Sequence, residues 1–188
     1  PLGDATFEPV IHVYGTGVPG ETEDLRGAAT RAANNWILWI WDHDQRVVAD
    51  TELTEEDIRK NSLVLFGTIR DNSVLARIAP DLPIGIGEDG IRVGEVLFEG
   101  DDVGVRFVAP NPLNPSRYVV VQAGNTAEAA VAGNSLPDFL PDFVVYDRRT
   151  TATRERLVAR RHPPRTAGFF DTSWRLREGA GAPVGEAG

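Results

Sequence analysis

The sequence predicts an α/β fold with a mostly parallel sheet, and three similar strand-to-turn junctions carry this prediction. Each is a β-branched or aromatic run followed at once by glycine and a small polar residue, which is typical of a buried parallel strand entering a tight turn. The junctions are Val10–Tyr14 before Gly15-Thr16, Ser62–Phe66 before Gly67-Thr68, and Tyr118–Gln122 before Ala123-Gly124-Asn125-Thr126. Neighbouring parallel strands would bring these turns to one edge of the sheet, where open α/β folds usually bind ligands.

Helices are predicted between these strands. From Glu21 to Ile40 apolar side chains recur every three or four positions, and acidic residues occupy the first turns, where the helix dipole favours them. A short strand is predicted at residues 46–49. Thr54, which is followed by three acidic residues, is predicted to be the N-cap of a short helix toward Lys60. A further helix is predicted over residues 72–79, ended by Pro80 and Pro83.

The middle of the chain has a different pattern, with short strands separated by glycine and acidic turns. This pattern predicts antiparallel hairpins over residues 91–93, 96–98 and 103–109. A rigid loop follows at residues 111–115, and after the third core strand come a short helix at 126–132 and a last strand at 143–146. The predicted fold is therefore a three-layer, Rossmann-like or flavodoxin-like domain with an antiparallel hairpin insertion.

Composition excludes several classes of protein. Cysteine is absent from the 188 residues, so the chain forms no disulfide, thiolate metal site or cysteine nucleophile, and its compartment is left open. No apolar run approaches the length needed to cross a bilayer, and no signal-peptide pattern is present. Methionine is also absent, even at position 1, which predicts either a processed start or a piece of a longer chain. Of these we favour the second.

Charge divides the chain into two predicted parts. Residues 1–147, the predicted α/β domain, carry 10 basic and 24 acidic side chains, whereas residues 148–188 carry 9 basic and 4 acidic ones. An acidic body repels phosphate, so we expect no nucleic-acid partner. The Arg-rich tail is expected to fold back on its own domain or on a neighbouring one. Its Gly- and Ala-rich end, from Gly179, is expected to be disordered.

Motifs for catalysis or cofactor binding are weak. Residues 15–20 match G-x-G-x-x-G, but Pro19 removes one backbone donor, no lysine of a P-loop is present, and only Asp50 could serve a ribose. We interpret these glycines as turn residues. Asp42-His43-Asp44 is interpreted as a solvated helix end, and His12 as a core histidine. No convincing Ser/His/Asp set or metal cluster is found, so we expect no catalytic residue, metal or cofactor in this chain.

Two sets of residues remain as candidate sites. The candidate ligand edge consists of the residues that follow the three core strands: Gly15, Thr16, Gly67, Thr68, Asn72, Gly124, Asn125 and Thr126. The candidate interface consists of aromatic residues that fall off a helix face or lie in the tail: Trp41, Phe169, Phe170 and Trp174. The tail has no core of its own, so its aromatic residues must pack on this domain or on a partner.

Several segments taken together resemble a known family. They are residues 13–16, 63–68 with Asp71-Asn72, 111–120 and 141–147, and a closing segment from Ala167 to Trp174. In this order they resemble the C-terminal, non-hydrolase domain of large bacterial proteins of the prolyl-oligopeptidase or α/β-hydrolase esterase type. The resemblance covers about residues 8–176.

The resemblance implies an exported hydrolase whose catalytic serine lies in an upstream domain, so no catalytic residue can be assigned here. It implies an accessory role for this chain, either packing on a catalytic domain, shaping its entrance or joining an assembly. Two alternatives stay open. One is a small-molecule-binding or enzymatic domain that uses the candidate ligand edge, and the other is a structural subunit of a multi-protein complex.

Overall fold

The computed structural model describes residues 9–37, 45–137, 140–151 and 162–182. Its main feature is a seven-stranded sheet, which contains β1 (Val10–Tyr14), β2 (Arg46–Ala49), β3 (Ser62–Gly67), β7 (Gly104–Asn111), β8 (Asn114–Gly124), β9 (Phe143–Tyr146) and β10 (Thr166–Gly168). The order of these strands in the sheet is β10-β9-β7-β8-β3-β1-β2. A separate antiparallel sheet of three strands contains β4 (Gly85–Gly87), β5 (Gly90–Val93) and β6 (Val96–Phe98). The predicted α/β class with an antiparallel insertion is confirmed.

The four strands β2, β1, β3 and β8 are parallel neighbours, as the three repeated junctions predicted. The register pairs Tyr14 with Phe66 and Phe66 with Gln122, so the three strands end at the same level. Their following turns consequently gather at one edge of the sheet. We call this edge the carboxyl edge.

Helices cover both faces of the main sheet, which gives the predicted three layers. The helices are α1 (Thr22–Ile37), α2 (Glu55–Lys60), α3 (Ser73–Ile78), α4 (Ala127–Ala132) and α5 (Arg148–Thr151). On one face, Ala28 and Ala29 of α1 pack on Val64 and Phe66 of β3. On the other face, α2, α3 and the small sheet share a core with the central strands, and Leu75 and Ile91 are fully buried there.

Three strands differ from the sequence prediction. Residues 103–109 were expected in the hairpin insertion, but β7 pairs antiparallel with β8 and with β9 inside the main sheet. The expected loop at 111–115 is a tight turn between β7 and β8, which begins at Asn114. A buried run such as Val105–Ala109 has the same pattern in either sheet, so local sequence could not assign it. The short strands β4 and β10 were not predicted.

The tail returns to its own domain. β10 extends the main sheet by pairing with β9, although it lies beyond the predicted boundary at residue 147. Phe170 then enters the core, and Leu176 and Ala180 pack against the same cluster. Gly181 is buried against Val93 and Val96 of the small sheet. Residues 166–182, which we call the strap, thus connect the edge of the main sheet to the small sheet.

Several sequence predictions fall on residues that the structure does not describe. The residues outside the described ranges include Trp41, Asp42-His43-Asp44, the Arg-rich stretch of the tail at residues 153–161, and residues 183–188. Residues 179–182, which were expected to begin a disordered end, form a turn with Ala180 and Ala182 donating to the carbonyls of Arg177 and Gly179. No helix in the described ranges is long and apolar enough to cross a membrane.

Candidate functional site

Asp50 lies at the carboxyl edge immediately after β2, the last strand of the main sheet. Its Oδ1 accepts a hydrogen bond from the Thr16 hydroxyl at 2.7 Å. Its Oδ2 accepts from the backbone N–H of Ser73 at 2.7 Å and from the Ser73 hydroxyl at 2.6 Å. The carboxylate is 5% exposed, so these charge-assisted bonds form with little competition from water. Asp50 therefore connects the turn after β1 to the first turn of α3.

The turn after β3 is closed by its own side chains. Asp71 Oδ2 accepts from the backbone N–H of Thr68 at 3.0 Å and from the Thr68 hydroxyl at 2.7 Å. The Thr68 hydroxyl oxygen in turn accepts from the N–H of Arg70 at 3.1 Å. Side-chain bonds of this kind, two or three residues apart, are typical of polar turns. They engage Thr68 fully within the chain.

Asn72 joins two strands to a helix. Its Oδ1 caps α3 by accepting from the N–H groups of Val74 and Leu75, at 3.1 and 3.0 Å. Its Nδ2 donates to the carbonyls of Val13 and Phe66, at 3.3 and 3.1 Å. The side chain is fully buried, and both of its polar atoms are satisfied. Asn72 is a structural residue of the carboxyl edge in this geometry.

Two glycines of the first turn, Gly15 and Gly17, are required by close packing between two turns. A Cβ on Gly17 would lie 2.2 Å from the Arg70 carbonyl oxygen, and one on Gly15 would lie 2.6 Å from the Asp71 carbonyl carbon. The Gly17 N–H donates to the Asp71 carbonyl at 2.7 Å. The turn after β1 thus lies directly on the turn after β3. This agrees with the interpretation of these glycines as turn residues.

The third turn faces a different neighbour. Asn125 Nδ2 donates to the carbonyls of Phe98 and Gly100, at 3.1 and 2.9 Å, and the Thr126 hydroxyl donates to the Asp101 carbonyl at 2.7 Å. Thr126 also caps α4 by accepting from the Ala129 N–H. Gly124 has no room for a Cβ beside Thr126 and Ala130. These residues connect the end of β8 to the segment that joins the small sheet to β7.

The structure therefore divides the predicted ligand edge in two. Residues around β1 and β3 lie together, whereas those after β8 bind the connection at residues 98–101. Four residues outside the predicted ligand edge complete the first group: Glu21, Asp50, Asp71 and Ser73. Asp50 had been considered only as a partner for a ribose, and Asp71 only as part of the resemblance. The spacing of Asp71 after Thr68 is a sequence signal for its role, since an acid three residues after threonine is common in polar turns.

Two acidic side chains, Glu21 and Asp71, lie near each other at this edge. Asp71 is 1% exposed, and its Oδ1 accepts no hydrogen bond from a donor among the described residues. Burial raises the pKa of Glu21, and a hydrogen bond with Asp71 and the negative charge of that residue raise it further, while the positive charge of Arg70 opposes the shift.

His12 behaves as the core histidine that the sequence predicted. It is fully buried in β1, and its ring stacks on Phe66 with centroids 6.1 Å apart. Burial, assisted by the positive charge of Arg106, lowers the pKa of His12 to about 4. The imidazole is therefore neutral at physiological pH and lies within the sheet instead of at its edge.

The aromatic residues of the tail have separate roles. Phe170 is 4% exposed and packs against Phe143, with ring centroids 5.5 Å apart. Trp174 is half-buried, and its ring lies against those of Tyr118 and Phe170, with centroid separations of 5.7 and 6.2 Å. Phe169, by contrast, is 58% exposed. Of the predicted interface residues in the described ranges, Phe169 is the one that presents its ring to solvent.

No group of three or more histidine and acidic side chains in the described ranges is arranged to hold a metal ion. Comparison of the chain with protein-family models gives no match, and a search of curated proteins finds no significant match either.

Proposed function

We propose that this chain is a non-catalytic accessory or interaction module, a fragment or subunit of a larger exported hydrolase-like protein. One observation supports this proposal above the others. The polar side chains predicted to meet a ligand at the carboxyl edge are engaged in hydrogen bonds within the chain, as Thr16, Asn72 and Asn125 illustrate. Side chains used in this way hold the turns together. We therefore assign catalysis to another domain.

The proposed contact with that domain lies beside β10. Phe169 directly follows this edge strand, whose one described partner in the sheet is β9. The neighbouring Phe170 fixes the backbone through burial, and its N–H donates to Asp142 Oδ2 at 3.1 Å. An exposed aromatic ring on an anchored backbone loses little conformational entropy when it binds, which suits a docking contact.

Hydrogen exchange on the complete gene product tests this proposal. We expect the amides of residues 166–169 to exchange more slowly in the complete product than in this chain alone, because docking would cover the edge of the sheet. Phe169→Asp should remove that difference, whereas Ala76→Asp, which adds the same charge at an exposed apolar position on α3, should leave it unchanged.

Two results would contradict the proposal. One is equal exchange of residues 166–169 in both samples. The other is a complete gene that encodes no further domain, together with a purified chain that is a monodisperse monomer.

A further inference from the structure

The strap folds into a small hairpin directly after β10. Phe170 and Leu176 pair as an antiparallel bridge, and the Asp171 N–H donates to the Arg175 carbonyl at 2.9 Å. The Trp174 N–H donates back to the Asp171 carbonyl at 3.1 Å, which closes the turn. We call residues 169–177 the strap hairpin. Its backbone is held at both ends of the turn, so its side chains have defined directions.

The strap hairpin has one face on the core and one face in solvent. Phe170 and Leu176 pack in the largest core cluster. Because side chains alternate along paired strands, the residues on either side of this pair face the other way. These residues are all exposed, and they are Phe169, Asp171, Arg175 and Arg177. The register of the bridge places Phe169 beside Arg177.

The two arginines of this outer face are not used for ion pairs within the chain. Arg177 Nε donates to the Phe170 carbonyl at 3.2 Å, which holds the guanidinium against the backbone of the hairpin. Neither Arg175 nor Arg177 forms an ion pair within the described ranges. Arg149, by contrast, pairs with Asp147 at 3.2 Å. The outer face therefore presents guanidinium groups that can bind a carboxylate from elsewhere.

The outer face is positive in a chain that is otherwise acidic. Two arginines stand there against one acid, Asp171, whose Oδ1 already accepts the N–H groups of Ser173 and Arg175 at 2.8 and 2.9 Å. Residues 1–147, in comparison, carry 24 acidic and 10 basic side chains. A surface complementary to this face has carboxylates beside an apolar site for the Phe169 ring, which is 58% exposed.

We propose that the strap hairpin binds an acidic segment of the partner domain, in which Phe169 enters an apolar pocket and Arg175 and Arg177 bind carboxylates at its rim. This inference rests on the proposed function and specifies the chemistry of the partner. A guanidinium group can bind a carboxylate through two parallel hydrogen bonds. Aromatic and arginine side chains also contribute most of the binding energy in many interfaces.

Hydrogen exchange on the complete gene product tests the inference, with the protection measured relative to this chain alone. We expect Arg175→Gln/Arg177→Gln to lower the additional protection of residues 166–169 about tenfold or more, because two charge-assisted bonds are lost. In the wild type the same protection should fall when salt rises from about 0.1 M to about 1 M, since screening shortens the reach of charges. Arg26→Gln/Arg31→Gln removes the same charge from exposed positions on α1 and should keep the wild-type protection.

A second variant separates binding from the stability of the hairpin. Arg177 also bonds the Phe170 carbonyl, so its replacement can loosen the strap itself. Exchange of the isolated variant chain measures that loosening, which is then subtracted. Arg175→Gln leaves the bond of Arg177 in place and should still lower the additional protection.

Three results would overturn the inference. One is wild-type protection in the Arg175→Gln/Arg177→Gln product; if Phe169→Asp still removed the protection, the docking function would stand without the acidic partner. A second is a wild-type product with no additional protection, which would overturn the proposed function as well. The third is protection that appears in this chain alone as its concentration rises, together with a dimer in sedimentation, because a second copy would then occupy the outer face.

Discussion

Replacing Phe170 by alanine is expected to lower the free energy of unfolding by about 3–5 kcal/mol. The ring is almost fully buried, it packs against Phe143 and Trp174, and it belongs to the largest core cluster. Its loss would leave a cavity beneath the strap and would weaken the contacts of Trp174 with Tyr118 as well. Urea unfolding monitored by tryptophan fluorescence measures the change.

The adjacent residue provides a matched control. Phe169→Ala removes a ring of the same size from a mostly exposed position, so we expect stability to change by about 0.5 kcal/mol or less. Equal effects of the two substitutions would show that the strap does not insert Phe170 into the core. A small effect of Phe170→Ala alone would contradict the packing described for the tail.

Asp50→Ala is expected to cost about 2–4 kcal/mol. The substitution removes three short hydrogen bonds to a buried carboxylate, and a hydrogen bond to a charged group contributes about 1.5–3 kcal/mol net to stability. The sum is reduced because Ser73 is exposed and water can replace part of what its N–H and hydroxyl lose. Because Asp50 connects two turns, the loss should be accompanied by faster hydrogen exchange at the Ser73 amide.

Glu52→Ala is the control for Asp50→Ala. Glu52 is an exposed acid two residues farther along, and its one described hydrogen bond is a long contact of 3.4 Å with the Ala49 N–H. We expect its removal to change the free energy of unfolding by about 0.5 kcal/mol or less. If Asp50→Ala costs no more than Glu52→Ala, Asp50 does not join the two turns.

Much of the fold could be predicted because it depends on local patterns. The runs that became β1, β3 and β8 are apolar, short and ended by glycine, so their type and parallel arrangement follow from burial on both faces and from tight turns. The cap at Thr54 was also predicted, and its side chain accepts the expected backbone hydrogen bond. Local chemistry determines these features.

The position of β7 and the path of the strap depend on contacts far apart in the sequence. Val105 pairs with Ala123 of β8 and Val145 of β9, and the apolar run around Val105 does not indicate which strands will be its partners. Three residues, Thr166–Gly168, are too few to show periodicity, so β10 had no sequence signal.

The carboxyl edge was located correctly, but the use of its side chains was not visible in the sequence. Thr16 and Asn125 were chosen because hydroxyl and amide groups at strand ends can bind ligands. The partners that engage them, Asp50 and the carbonyls of Phe98 and Gly100, lie 34 and 25 to 27 positions away. Only the folded chain brings these groups together.

A thermal-shift comparison of the wild type with the double variant Thr68→Ala/Asn125→Ala shows whether the carboxyl edge holds the chain's own turns. We expect the double variant to melt several degrees lower without ligand, because each residue loses hydrogen bonds within the chain. We also expect that no compound in a metabolite panel stabilises the wild type more than the variant. A compound that raises the melting temperature of the wild type by about 3 °C or more, and leaves the folded variant unchanged, would contradict this expectation.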